Sequence, residues 1–291
     1  MVDPLLECRH AAVAEGSCCT EALEFSIDGP SAVVVGGPAV LAKAAMGIVP
    51  VRSGALRVRG WSPAESVQRG AMAGVLRDWI VPRTWTLRHA LVESARLAGL
   101  STGEAQARVS QVAEAVLLVP VLDRPFASAP LVVRRAASLA SALATHAQAL
   151  VLEDLFEGLS LVEAVNFGEV AMAAIGDRAW ICFCSSFDEG HPMAKKANEI
   201  VVLEPGKPTR TQSFADLCGP PAHYRTHRFR VLENVDKVID ELSALGVVLV
   251  SRQGDRLVVQ LGEHSTADLF AVALSCGTLI TELAPVSAAL A

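Results

Sequence analysis

Short β-branched runs alternate with longer helical patterns over the first 205 residues. Ala32–Val35, Ala149–Leu152, Ala179–Cys184 and Ile200–Leu203 are apolar throughout, the signature of strands buried on both faces. Their spacing predicts a mainly parallel sheet covered by helices, an α/β architecture. Between the early and late strands, Thr86–Ala147 reads as helical, broken near Ser101-Thr-Gly and at Asp123-Arg-Pro. This predicts a helical lobe over about residues 86–147.

The pattern changes after Pro205. Residues 205–224 hold Gly206, Pro208, Gly219, Pro220 and Pro221, the composition of a linker, and they divide a domain over 1–215 from a second over 225–291. That second domain reads as strand Thr226–Leu232, helix Val235–Leu245, strands Val247–Arg252 and Arg256–Leu261, helix Ser265–Cys276 and strand Leu279–Leu283. A βαββαβ order predicts a small α+β ferredoxin-like domain. Gln253-Gly254-Asp255 suits the hairpin between its middle strands.

Composition narrows the function classes. The chain of 291 residues is 52% hydrophobic with mean hydropathy +0.39, yet its apolar runs stay shorter than the roughly 18 residues a membrane span needs. A net charge of −6 without a Lys/Arg-rich block argues against nucleic acid as partner. Seven cysteines, an odd number, form no C-x-x-C pair, and Cys182 and Cys184 fall on one face of an apolar strand as reduced thiols. The N-terminal residues carry no export signature, so a cytoplasmic location is expected.

Candidate chemistry begins at Ser31–Gly54, which reads as strand, turn and helix. A phosphate cradle at such a place needs about eight residues of pattern G-x-x-x-x-G-K-[ST]. Here only Gly36, Gly37 and Pro38 lie between strand and helix. Glu153-Asp154, two carboxylates at a strand end, are a candidate cation pair. His146, His191 and His264 have no second histidine at metal-ligand spacing, while His223 and His227 straddle the linker and a strand start. No metal is expected.

Several strings, taken in order, resemble the ATP-binding subunits of ABC transporters over essentially the whole chain. Leu6-Glu-Cys-Arg resembles their opening strand, and Arg52-Ser-Gly54 with Leu56-Arg-Val-Arg-Gly60 their hairpin after the first helix. Thr86-Leu-Arg-His-Ala-Leu91 resembles the entry to their helical lobe. Arg134-Arg-Ala-Ala-Ser-Leu-Ala-Ser-Ala-Leu143 and Ala149-Leu-Val-Leu-Glu-Asp-Leu-Phe-Glu-Gly-Leu-Ser160 resemble the helix after the signature motif, the Walker B strand and the D-loop. Ile200-Val-Val-Leu-Glu-Pro-Gly206 resembles the last strand and turn. The resemblance implies a P-loop NTPase-like ABC ATPase core, sheet plus helical lobe, with a ferredoxin-like appendage.

It also implies where chemistry would sit, and nearly every such position departs from the family pattern. The Walker A positions are Gly36, Gly37 and Lys43. One alignment leaves Lys43 as the phosphate lysine; the other, which keeps Gly47 and Arg52-Ser-Gly54 in register, deletes four or five loop residues. The adenine-stacking position is Glu15 and the Q-loop position Arg77. The signature Leu-Ser-Gly-Gly becomes Ala129-Pro130-Leu131-Val132, where a proline has no N–H to donate. The Walker B pair is inverted to Glu153-Asp154, the D-loop aspartate is Ser160, and the switch histidine is Phe187.

The resemblance with these losses implies a catalytically inactive subunit, a pseudo-ATPase with no cofactor and no catalytic residue, peripheral on the inner face of the membrane. Its expected partners are a membrane permease subunit and an active ABC ATPase, with homodimer and heterodimer both open. An apolar patch near Trp79, Ile80, Val81, Trp85 and Leu87 is the candidate contact with the membrane domain, or else core. Two alternatives stand beside this: a divergent Mg-ATP hydrolase with Lys43 on phosphate and Glu153 and Asp154 on magnesium and water, and a scaffold unrelated to transport.

Overall fold

The computed structural model describes residues 3–16, 18–36, 39–185, 191–203, 209–214, 226–262 and 264–286. These divide into two compact units, the first running through Gln212 and the second beginning at Ser213.

The first unit is built on a six-stranded sheet of order β10-β9-β4-β8-β7-β6. β4 (Ser31–Val35), β6 (Met72–Val75), β7 (Ala149–Glu153), β8 (Ala179–Cys184) and β9 (Glu199–Val202) run parallel. Every residue of β4 and β7 is buried, as expected of strands covered on both faces. A smaller antiparallel sheet pairs β1 (Leu6–Glu15) with β2 (Cys18–Cys19), β3 (Leu23–Ile27) and β5 (Val51–Val58).

Between the two sheets lies α1 (Ala39–Ala45). Its Val40, Leu41, Ala42, Ala44 and Ala45 join one apolar cluster with residues of β1, β4, β5 and β8. Alanine at three of these positions lets the helix fit between two layers of backbone.

The helical lobe packs α3 (Leu87–Leu97), α4 (Thr102–Ala115) and α5 (Leu131–Ala144) against one another, and α5 also meets β6 and α6 (Leu161–Ile175). Its expected breaks have local causes. Ser101 caps α4 in a reciprocal box with Glu104, and Asp123-Arg-Pro separates the single 3₁₀ turns Val119–Val121 and Phe126–Ser128. The patch expected near Trp79 divides between surface and core. Ile80 is 91% exposed, whereas Leu87 is fully buried as the first residue of α3.

Part of the expected linker is a strand. Arg210–Gln212 form β10, antiparallel to β9 at the sheet edge, where a polar strand can face solvent on its free side. The other linker residues, apart from 209, 213 and 214, lie outside the described set. So does His223.

The second unit comprises β11 (Thr226–Val231), a helix Val235–Ala244, β12 (Val248–Gln253), β13 (Arg256–Gln260), a helix Thr266–Ser275 and β14 (Ile280–Val286). Its antiparallel sheet has the order β12-β13-β11-β14, the ferredoxin-like arrangement. Phe229, Val231, Leu257 and Val259 from the sheet meet Val238, Leu242 and Leu269 from the helices in its core. Gly254 turns the middle hairpin at φ +62°, as its position suggests.

Candidate functional site

β4 is the strand at which the order of the parallel sheet reverses, with β9 on one side and β8 on the other. In open α/β sheets, ligands bind beyond the carboxyl end of such a strand. Here the main chains of the neighbouring strands run on beside that end. Gly36 at φ +74° donates its N–H to the Cys184 carbonyl at 3.2 Å, and a Cβ at this position would lie 2.4 Å from the Leu203 carbonyl oxygen. β4 ends at Val35 and α1 begins at Ala39, so three residues connect them. Gly37 and Pro38 lie outside the described residues.

Five charged positions picked out from the sequence gather around the strand ends. Lys43, the residue of α1 that carries charge, donates to Glu15 Oε2 at 2.8 Å. That hydrogen bond holds its ammonium above the usual lysine range, helped by the field of Glu153 and opposed by Arg77. Glu15 therefore reaches across from the end of β1 to occupy the lysine.

Glu153 and Asp154 are 4% and 7% exposed, and burial pushes both carboxyls above the usual carboxylate range. Hydrogen bonds oppose the shift. The Arg77 N–H donates to Glu153 Oε2 at 3.3 Å, and the Ser185 N–H donates to Asp154 Oδ1 at 2.7 Å. Asp154 sits at φ +41°, a conformation aspartate tolerates better than most residues.

Arg77 extends along these carboxylates. Its guanidinium donates to Glu157 Oε2 at 2.5 Å and Asp78 Oδ2 at 3.0 Å, and lies 3.9 Å from Asp154 Oδ2. These contacts raise its pKa, chiefly through Glu157 and Asp78. Among the described residues, no group of three or more His, Cys, Asp and Glu is arranged to hold a metal ion.

A further charged residue lies beneath this cluster and is not evident from the sequence. Arg135, 4% exposed on α5, donates to the carbonyls of Arg77 and Glu157, and burial lowers its pKa. An arginine in an Ala-rich helix reads as surface. The usable signal is the stripe Leu131, Arg135, Ser138 and Ala142, whose i, i+4, i+7, i+11 spacing places Arg135 on a core-facing side.

The remaining candidate positions do structural work. Pro130 is the N-cap of α5 without a side-chain hydrogen bond, Leu131 opens the helix, Ala129 is buried in the turn before it, and Val132 lines a groove with α6. Ser160 caps α6 in a box with Glu163. Phe187 lies outside the described residues. His264 bonds the Leu245 carbonyl at 2.7 Å just before the helix Thr266–Ser275, and His191 lies edge-on to Phe156.

No protein-family model matches the chain, and no curated protein is matched by its sequence. Solved structures are matched by shape. An ATP-binding subunit of an ABC transporter superposes with TM-score 0.57 at 18% identity, over 73% of this chain and 91% of that one. The cbiO1 protein from Clostridium perfringens, part of the ABC transporter complex cbiONQ, gives TM-score 0.61 at 14% identity, over 84% and 98%. A bacterial Atm1-family ABC exporter with ATP bound gives 0.59 at 15% identity, over 74% of this chain and 39% of that one.

The fold is that of an ABC transporter ATP-binding subunit. Within the ABC ATPase fold, the cluster of Lys43, Glu15, Arg77, Glu153 and Asp154 falls at the strand ends where the resemblance implies a nucleotide site. Among the described residues, no helix is long and apolar enough to cross a membrane.

Proposed function

We propose that this chain is a pseudo-ATPase, an ABC ATPase-like subunit that serves an ABC-type membrane transport complex as a structural or regulatory partner and does not turn over nucleotide. The observation that carries the reading is the three-residue connection between β4 and α1. A loop that wraps phosphates with successive N–H groups needs about eight residues, and Gly36, the first of the three, already commits its N–H to the Cys184 carbonyl.

The residues present do not fit a magnesium–nucleotide. Lys43 is paired with Glu15, which has no π face for a base, Asp154 lies 3.9 Å from the Arg77 guanidinium, and Glu153 accepts the Arg77 main-chain N–H. At the start of α5, Pro130 offers no N–H. Each change has precedent singly; their coincidence at one place supports loss of the site.

The partners follow from the fold and from its neighbours, one of which is part of a named transporter complex. A membrane permease subunit would dock on the surface around Ile80, beside a small cleft of about 160 Å³ lined by Asp78, Trp79, Phe126, Leu131 and Arg134. A second, working ABC ATPase would supply hydrolysis. The chain would then be peripheral on the cytoplasmic face of the membrane.

A ligand that binds the native state must raise apparent stability. Thermal unfolding with excess Mg-ATP is expected to match unfolding without it, and gentle detergent extraction is expected to recover a polytopic membrane protein in stoichiometric amount. The proximity of Lys43 to Glu153 favours one rival, a divergent hydrolase. Stabilisation by Mg-ATP together with its hydrolysis, both lost in Lys43→Ala, would establish that rival. Recovery of the chain alone or with soluble proteins would leave a scaffold outside transport.

A further inference from the structure

We propose that Arg77 and Arg135 form an internal clasp that holds the connection Leu76–Trp85 against the strand ends without any bound ligand. The inference rests on the pseudo-ATPase reading and adds how the docking surface around Ile80 is kept in one conformation.

β6 ends at Val75, and the carbonyls that follow it have left the sheet ladder. Carbonyls that are partly screened from water gain from partners within the chain, and here α5 provides them. Ser138 Oγ donates to the Leu76 carbonyl at 2.9 Å, Arg135 Nη1 donates to the Arg77 carbonyl, and Arg135 Nη2 donates to the Glu157 carbonyl at 3.1 Å. The Arg77 side chain then reaches back to the Glu157 carboxylate. Arg77, Arg135 and Glu157 thus close a ring across three segments: the connection after β6, helix α5, and the turn between β7 and α6.

Charge explains why arginine stands at both places. Asp78, Glu153, Asp154 and Glu157 crowd the strand ends, and carboxylates so placed require compensation from a cation. Two guanidiniums supply it from within the chain. Arg135 is retained at a cost, since its Nε has no hydrogen-bond partner. An apolar residue would avoid that cost but would leave two carbonyls unpaired.

The far end of the connection is also fixed. The Phe126 N–H donates to the Trp85 carbonyl at 3.0 Å, Trp79 lies edge-on to Phe126 with ring centres 5.3 Å apart, and Trp85 stacks on His89 at 4.3 Å. With both ends anchored, exposed Ile80 is presented on a segment held by contacts within the chain.

Hydrogen–deuterium exchange on the full-length protein tests the clasp. The amides of Arg77, which donates to Glu153, and of Trp85, which donates to the Pro82 carbonyl, are expected to be protected in the wild type, equally with and without Mg-ATP. In Arg135→Met they should exchange roughly ten-fold faster while β4 and β9 keep their protection. If Arg135→Met loses protection everywhere, Arg77→Gln decides, because its partly exposed side chain can be shortened without opening the core; the same segment should loosen, and Glu157→Gln should match it. Wild-type exchange as fast as in the variants, or slowed by Mg-ATP, overturns the clasp. A Mg-ATP hydrolysis assay on the purified wild type separates the two ideas. Turnover defeats the pseudo-ATPase reading, whereas unprotected amides without turnover defeat the clasp alone.

Discussion

The two units of this chain treat charge in opposite ways. In the ferredoxin-like unit the core is apolar, and charged groups stay at the surface in pairs such as Arg230–Asp255 at 2.6 Å and Arg252–Asp236 at 2.6 Å. In the ABC ATPase-like unit, Arg135, Glu153 and Asp154 are all but inaccessible to solvent. Burying a charge is costly unless it is paired and hydrogen-bonded, so the second unit is arranged as stability alone would favour. The first keeps an arrangement that core packing alone would not favour.

The contrast predicts a graded set of outcomes. Phe229→Ala removes the largest buried side chain of the C-terminal core and should cost about 3–5 kcal/mol, seen in calorimetry as loss of that unit's unfolding transition with the other transition unchanged. Arg135→Ala leaves two carbonyls unpaired and should destabilise the first unit by about 2 kcal/mol, read from its denaturation midpoint in urea. A shared shift of both transitions in either variant would show that the units do not respond separately.

Glu153→Gln should do the reverse and raise the first unit's midpoint at pH 7.5 by about 2 °C. Because burial raises the folded-state pKa of Glu153 above its unfolded value, the native state holds the proton more tightly and wild-type stability falls as pH rises between those two values. The advantage of glutamine is therefore complete above the folded pKa and vanishes below the unfolded one, and midpoints measured from pH 4 to pH 8 would show it. An advantage that grew toward acid pH would refute this account. At the small end, Asp255→Asn should leave the C-terminal midpoint within measurement error, since its partner is exposed and well solvated.

What could be read in advance divides along the same line. The apolar runs of β4, β7 and β8 announce themselves because strands buried on both faces have no polar alternation, and Gly254 marks its hairpin because the turn needs a positive φ. The scaffold and the ferredoxin-like order were legible for those reasons. Gathering of Lys43, Glu15, Arg77, Glu153 and Asp154 was legible only through resemblance, since they come from four distant places in the chain. Which of them pair was not. Lys43 turning to Glu15, and Arg77 to Glu157, depends on side-chain reach across elements, which no local pattern encodes. Leu87 proved to be core because the first turn of α3 faces inward. β10 escaped notice because a three-residue polar edge strand carries almost no periodicity.

The contact of Gly36 with Leu203 also bears on any attempt to install a phosphate loop in this chain. Gly36 would have to stay glycine, because a side chain there would meet the Leu203 carbonyl, and Glu15 would still hold Lys43 however many residues were inserted before Ala39. On the proposed reading the site is a lock with two tumblers: lengthening the connection alone, or freeing the lysine alone, opens nothing.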